Sequence, residues 1–158
     1  HLWEGGIRVP CIIRWPGKIK ADQESDSLII STDLFPTFLS LAGVSTESET
    51  LDGVDLGPLL TGQGDLEGRV LYFHYPNYAF HKENRLGSAI IAGDYKLILR
   101  YDDDSVELYN LKEELGEAKN LANDDSPRAL KMRGQLVRWL EQSGAQLPRR
   151  KPATEAND

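Results

Sequence analysis

His1-Leu-Trp-Glu-Gly-Gly-Ile-Arg-Val-Pro-Cys-Ile-Ile-Arg-Trp-Pro-Gly17 is the stretch from which the rest of the chain is read. Gly5-Gly6 reads as a tight turn, because glycine accepts positive φ or a close backbone neighbour at little cost. Val9-Pro10-Cys11-Ile12-Ile13 follows as a short apolar run of the kind that forms a strand covered on both faces, with Cys11 a small buried apolar residue. Pro10 has no N–H to give a ladder, which puts it at the start of that strand or on an edge. Trp15-Pro16-Gly17 closes the strand with a second turn. No helix or strand able to open a domain precedes His1, so the expectation is a chain that starts inside a larger fold.

Trp3-Glu4-Gly5-Gly6-Ile7-Arg8-Val9-Pro10 closely resembles a signature of the sulfatase family, in the alkaline-phosphatase-like superfamily, and Trp15-Pro16-Gly17 resembles the turn that follows it there. The resemblance implies a segment that leaves the active site and enters a return strand, with Trp3, Glu4, Gly5, Gly6 and Arg8 as active-site scaffold. The aligned lysine, which in the family contacts the substrate sulfate, would lie just ahead of His1.

At 158 residues the chain has the size of one domain, and a compact chain of this length buries roughly 70% of its unfolded surface. A net charge of −7 argues against nucleic-acid and anionic-membrane partners, which require a basic face. Only Arg149-Arg150-Lys151 is locally basic. The single cysteine excludes an internal disulfide framework. No apolar run approaches the ~20 residues of a membrane span, and no signal peptide opens the chain.

Ser31-Thr32-Asp33 can start a helix on which Leu34, Phe38 and Leu41 recur at helical spacing, with Gly43 as its stop; this helix is expected to be core. Asp33 reads as a first-turn carboxylate favoured by the helix dipole in preference to a metal ligand. Thr46 to Gly68 is loop-rich, and Gly62, Gly64 and Gly68 have the wrong spacing for a nucleotide-binding loop. Arg69 to Tyr75 is a strand, and Ser88–Ala92, Tyr95–Tyr101 and Val106–Leu111 form an antiparallel meander turning at Gly93-Asp94 and at Asp102–Ser105. Tyr95, Leu97, Leu99 and Tyr101 share a buried face, opposite a partly solvated face carrying Lys96, Ile98 and Arg100. Asp102–Asp104 reads as an acidic turn, since a calcium loop of EF-hand type would need glycine where Glu107 stands. Asp125-Ser126 and Pro127 open a last helix with Ala129, Met132, Leu136, Trp139 and Leu140 as its apolar stripe, ended by Gly144. Such a stripe is a lid for a small sheet.

His74, at the end of its strand, has two readings. It is either satisfied by a local hydrogen bond or, with Asn77, Tyr78 and His81 on the following loop, lines a substrate entrance; related sulfatases carry a substrate-selecting loop at this place. His74 and His81 without a third ligand make a poor zinc site.

Gly93 to Ile98 and Leu108 to Ala122 resemble C-terminal sulfatase phrases, so the resemblance runs to about Gly144. It implies an α/β fold (α+β as an isolated fragment): residues 1–68 as a piece of the large α/β domain, 69–147 as an antiparallel-sheet subdomain with its helix, and 148–158 as a disordered tail. It further implies sulfate-ester hydrolysis through a formylglycine nucleophile and calcium, both supplied from outside this chain. Cys11, followed by Ile-Ile-Arg, lacks the Cys/Ser-x-Pro-x-Arg spacing and is not the nucleophile. The fragment alone is then expected to be inactive, with no metal ligands of its own. Its expected partners are a sulfated small molecule or glycan and the rest of the α/β domain, in a secreted, periplasmic or lysosomal setting. Ile7–Ile13 and Leu28–Ile30 should show exposed strand edges. The alternatives are a phosphodiesterase or phosphonate hydrolase of the superfamily and a non-catalytic binding fragment.

Overall fold

The computed structural model describes residues 1–45, 50–77 and 85–149. The chain divides into two compact units, His1–Val9 with Tyr72–Asp158 and Pro10–Leu71.

Four strands, β1 (Val70–Tyr75), β2 (Gly87–Ala92), β3 (Tyr95–Arg100) and β4 (Val106–Asn110), form one sheet in the order β1-β2-β3-β4. β2 and β4 run antiparallel to β3, with Ile90 and Leu108 both opposite Leu97. The register follows from the turns. Gly93 takes φ +58° in the two-residue β2–β3 connection, and Asp104 takes φ +58° in the β3–β4 connection. One face is covered by α4 (Ser126–Gln142), whose Ala129, Met132, Leu136 and Leu140 are buried against β2 and β3. Asp125 caps α4 by accepting the Arg128 N–H, Pro127 occupies its first turn, and Gly144 closes its end at φ +63°. Trp139 on α4 stacks on Tyr72 with ring centroids 4.8 Å apart. The meander, the fourth strand and the lid helix thus match the expectation from the sequence.

The opposite face departs from it. Lys96, Ile98 and Arg100 were expected to be partly solvated, yet Lys96 and Ile98 are fully buried and Arg100 is 2% exposed. The first residues of the chain cover them. Leu2 joins Ala89, Ile98 and Tyr109 in a cluster flanked by Trp3, Phe73, Tyr75 and Leu111. Glu4–Ile7 forms a single helical turn, α1, where the sequence suggested a glycine turn. Gly87 permits this cover, because a Cβ there would stand 2.5 Å from the Leu99 carbonyl oxygen and 3.2 Å from Leu2.

The unit Pro10–Leu71 contains a 3-10 turn (Ser31–Asp33), α2 (Leu34–Leu41) and α3 (Gly57–Thr61), a helix the loop-rich composition hid. Asp33 is its polar centre. The buried carboxylate accepts the N–H groups of Ile30 and Val54 and a two-pronged pair of bonds from Arg69. Burial raises its pKa, but those donors outweigh burial and hold it below the ordinary carboxylate value. Four expectations fail here. Val9–Ile13 is not a strand, Ile12 is 93% exposed and Cys11 is exposed; Leu28–Ile30 is not a strand either. A ladder needs a neighbouring chain to receive its hydrogen bonds, and among the described residues none runs beside these two runs. α2 buries Pro36 and Thr37 and leaves Leu34, Phe35, Phe38 and Leu41 exposed, so its apolar stripe is surface in this chain.

Candidate active-site scaffold

The sequence motif Trp3-Glu4-Gly5-Gly6-Ile7-Arg8 is held on the sheet by two buried cations of β3. Alternation along the strand places Lys96 and Arg100 on the same face as Ile98. The ammonium of Lys96 donates to Glu4 Oε1 at 2.9 Å. Glu117 Oε1 lies 2.8 Å from the same nitrogen in an ion pair. The other oxygen of Glu117 accepts the backbone N–H of Glu4 at 2.6 Å. Arg100 donates to Glu107, which also accepts Trp3 Nε1–H at 3.0 Å and the Tyr109 hydroxyl at 2.8 Å. The Arg100 guanidinium stands 4.9 Å from the Trp3 ring centroid. Burial raises the Glu107 pKa, and the Arg100, Trp3 and Tyr109 donors more than reverse it, so the carboxyl stays ionised. Burial, and then the neighbouring Glu107 carboxylate, push the Tyr109 phenol up. Arg8, at the end of the turn, is 56% exposed and lies 3.8 Å from Glu4 Oε2.

The second cluster lies on the α4 face. His74 Nε2 is 3.1 Å from the carbonyl oxygen of Gln146, which can only accept, so Nε2 carries the proton. In the neutral ring Nδ1 then accepts, and Ser88 Oγ lies 2.8 Å from it with Tyr101 OH at 3.2 Å. Both nitrogens have partners, and these come from parts of the chain 14 to 72 residues away. Asn77 is exposed, while Tyr78 and His81 lie outside the described residues.

Sequence reading singled out Trp3, Glu4, Gly5, Gly6 and Arg8, and the structure brings them into one turn. It missed their holders Lys96, Arg100, Glu107 and Glu117, and the supporters Ser88 and Tyr101. The available signal was the pair Lys96 and Arg100, four apart on one face of β3 and diagonal to Glu107 of β4.

Cys11 does not fit a formylglycine, and among the described residues no three His, Cys, Asp or Glu side chains converge as a metal site, so no step through calcium is derived from this chain. Asp102 and Asp103 are ion-paired to Arg85 at 2.8 and 2.7 Å. No helix among the described residues is long and apolar enough to cross a membrane.

A small antiparallel sheet closed by a C-terminal helix on one face and by an N-terminal strap on the other is an α+β module of the kind that ends sulfatases. Residues 1–146 match the family described as N-sulphoglucosamine sulphohydrolase, C-terminal. The chain belongs to this sulfatase C-terminal family. It is 31% identical to a sulfatase of Formosa agariphila over 90% of this chain and 29% of that protein. It is 32% identical to the N-acetylglucosamine-6-O-sulfatase of Bacteroides thetaiotaomicron over 92% of this chain and 26% of that one. Among solved structures, BT4656 in complex with its substrate D-glucosamine-2-N,6-O-disulfate superposes with a TM-score of 0.73 at 29% identity, covering 89% of this chain and 30% of that one. The chain therefore spans about three-tenths of the length of these relatives.

Proposed function

We propose that this chain is the C-terminal region of an enzyme that hydrolyses sulfate esters, with a formylglycine nucleophile and calcium held by residues outside it. The reading is carried by the family match across residues 1–146, which includes both the strap and the sheet that receives it. In this reading Trp3, Glu4, Gly5, Gly6 and Arg8 are scaffold for the reaction site and supply no reacting atom. His74, Asn77 and Tyr78 form part of the substrate rim, with His74 acting by fixing the end of β1 through Ser88, Tyr101 and Gln146. A sulfated amino sugar is the substrate class supported by the N-acetylglucosamine-6-O-sulfatase relative and by the disulfated glucosamine in the similar structure. Small aryl sulfates such as 4-nitrophenyl sulfate serve as a chromogenic probe of the same chemistry.

The test is sulfate release from glucosamine 6-sulfate and 4-nitrophenyl sulfate by the intact protein and by residues 1–158 alone. Turnover by the intact protein and none by the segment is expected. Turnover by the segment alone would overturn the assignment of the reacting groups to other parts of the protein.

A further inference from the structure

We propose that Lys96 is a positioning residue for the proposed sulfate-ester hydrolysis, acting through Glu4 to hold the strap Trp3–Arg8 in one register on the sheet. The inference rests on the reading that the strap is reaction-site scaffold. Its observations concern this chain's own residues.

Lys96 is fully buried and spends its charge on two carboxylates, those of Glu4 and Glu117. Glu117 in turn grips the main chain of Glu4. Glu4 is thereby held at two points, by its side chain and by its backbone N–H, which fixes both its position and its rotation. Four residues along β3, past Ile98, the pattern repeats: Arg100 and Glu107 hold Trp3 by a hydrogen bond and by the cation over its ring. Successive strap residues thus each answer to a buried cation of one strand.

Stability does not require this arrangement. Buried ion pairs are commonly matched or exceeded by apolar residues of similar volume, and their best-attested role is to specify register. Leu2, buried against Ala89, Ile98 and Tyr109, already supplies an apolar anchor. An apolar contact tolerates sliding; a charge-assisted hydrogen bond has direction and length. What the ionic hold adds is placement, and a misplacement of about 1 Å in a reaction site can cost about 100-fold in rate. Glu117 belongs to the same device, in a segment that the motif at residues 3–8 does not include.

The test uses the intact sulfatase with Lys96→Met, Glu117→Gln, which preserves shape, and Leu136→Ala on the α4 side as a control for lost stability. The readouts are kcat and KM for 4-nitrophenyl sulfate, the thermal midpoint, and hydrogen exchange of the peptide spanning residues 1–9. Lys96→Met and Glu117→Gln should lower kcat about 10- to 100-fold with KM within about twofold, and should speed exchange at residues 4–8. Leu136→Ala should lower the thermal midpoint comparably and keep the wild-type kcat. Wild-type kcat in Glu117→Gln, or an equal kcat loss in Leu136→Ala, overturns the proposal. If Lys96→Met does not fold, Glu117→Gln decides. If the wild type releases no sulfate, the functional reading fails, and exchange alone decides whether Lys96 and Glu117 hold the strap: unchanged protection of residues 4–8 in Glu117→Gln overturns it.

Discussion

Lys96 in β3 and Glu4 in the first helical turn stand 92 residues apart in the chain and meet at 2.9 Å in the interior of the sheet unit. The pair joins the first and middle parts of the sequence into one body, and it explains why a strand face bearing Lys and Arg is dry. Loss of Lys96 leaves the carboxylates of Glu4 and Glu117 without their common cation, whereas loss of Glu4 leaves Lys96 with Glu117 alone.

Lys96→Met is therefore expected to cost about 3–5 kcal/mol in chemical denaturation, Glu4→Ala less because Glu117 still faces Lys96, and the double variant less than the sum of the two single changes. Strict additivity would show that the two side chains do not interact.

Leu136 belongs to α4 and is fully buried between that helix and the sheet's other face. Leu136→Ala should cost about 2–5 kcal/mol through lost burial and the cavity left behind. A denaturation midpoint equal to that of the wild type would contradict the packing of α4 on β2 and β3.

Most of this architecture was legible in the sequence, because β2, β3, β4 and α4 are written in local patterns: Gly93 at one turn, alternation along Tyr95–Tyr101, and a capped apolar stripe from Ala129 to Leu140. The burial of Lys96 was not legible, since its cause is Glu4, which no local window contains. Val9–Ile13 failed for the converse reason. Its composition suits a strand, but strand formation depends on a neighbour, and among the described residues it has none. α2 shows the same limit: its periodicity is helical, but its apolar residues Leu34, Phe35, Phe38 and Leu41 are exposed. Of the candidate site, the motif at residues 3–8 could be read, whereas its holders could be found only in three dimensions.

Acid should unfold the protein through Asp33 and Glu107. Donors hold both below their ordinary values of 3.8 and 4.5, so their stabilisation is complete above those values and is lost as pH falls through the lower folded-state values. Stability measured from pH 6 downward should thus decline below about pH 4.5. Asp33→Asn should be less stable at pH 6 and show a shallower decline. An unchanged slope in that variant would contradict the ionised, Arg69-paired state of Asp33.

Leu34, Phe35, Phe38 and Leu41 are exposed by 40%, 60%, 62% and 46% on one short helix. Residues 1–158 prepared alone should self-associate through this face, and Phe35→Glu with Phe38→Glu should shift sedimentation toward monomer. A monodisperse monomer for the unaltered segment would contradict this.

His74→Ala removes the link between β1, Ser88 and Gln146. If His74 serves the proposed rim, KM of the intact protein for the sulfated sugar should rise several-fold with a smaller change for 4-nitrophenyl sulfate, because a rim would select the larger substrate. Equal changes for both substrates would remove His74 from the rim.

The most direct measurement is the release of sulfate from glucosamine 6-sulfate by the intact protein, followed by ion chromatography beside parallel incubations with a phosphonate monoester and a phosphodiester. Sulfate release exceeding hydrolysis of both phosphorus esters is expected. Hydrolysis of a phosphorus ester with no sulfate released would contradict the assignment.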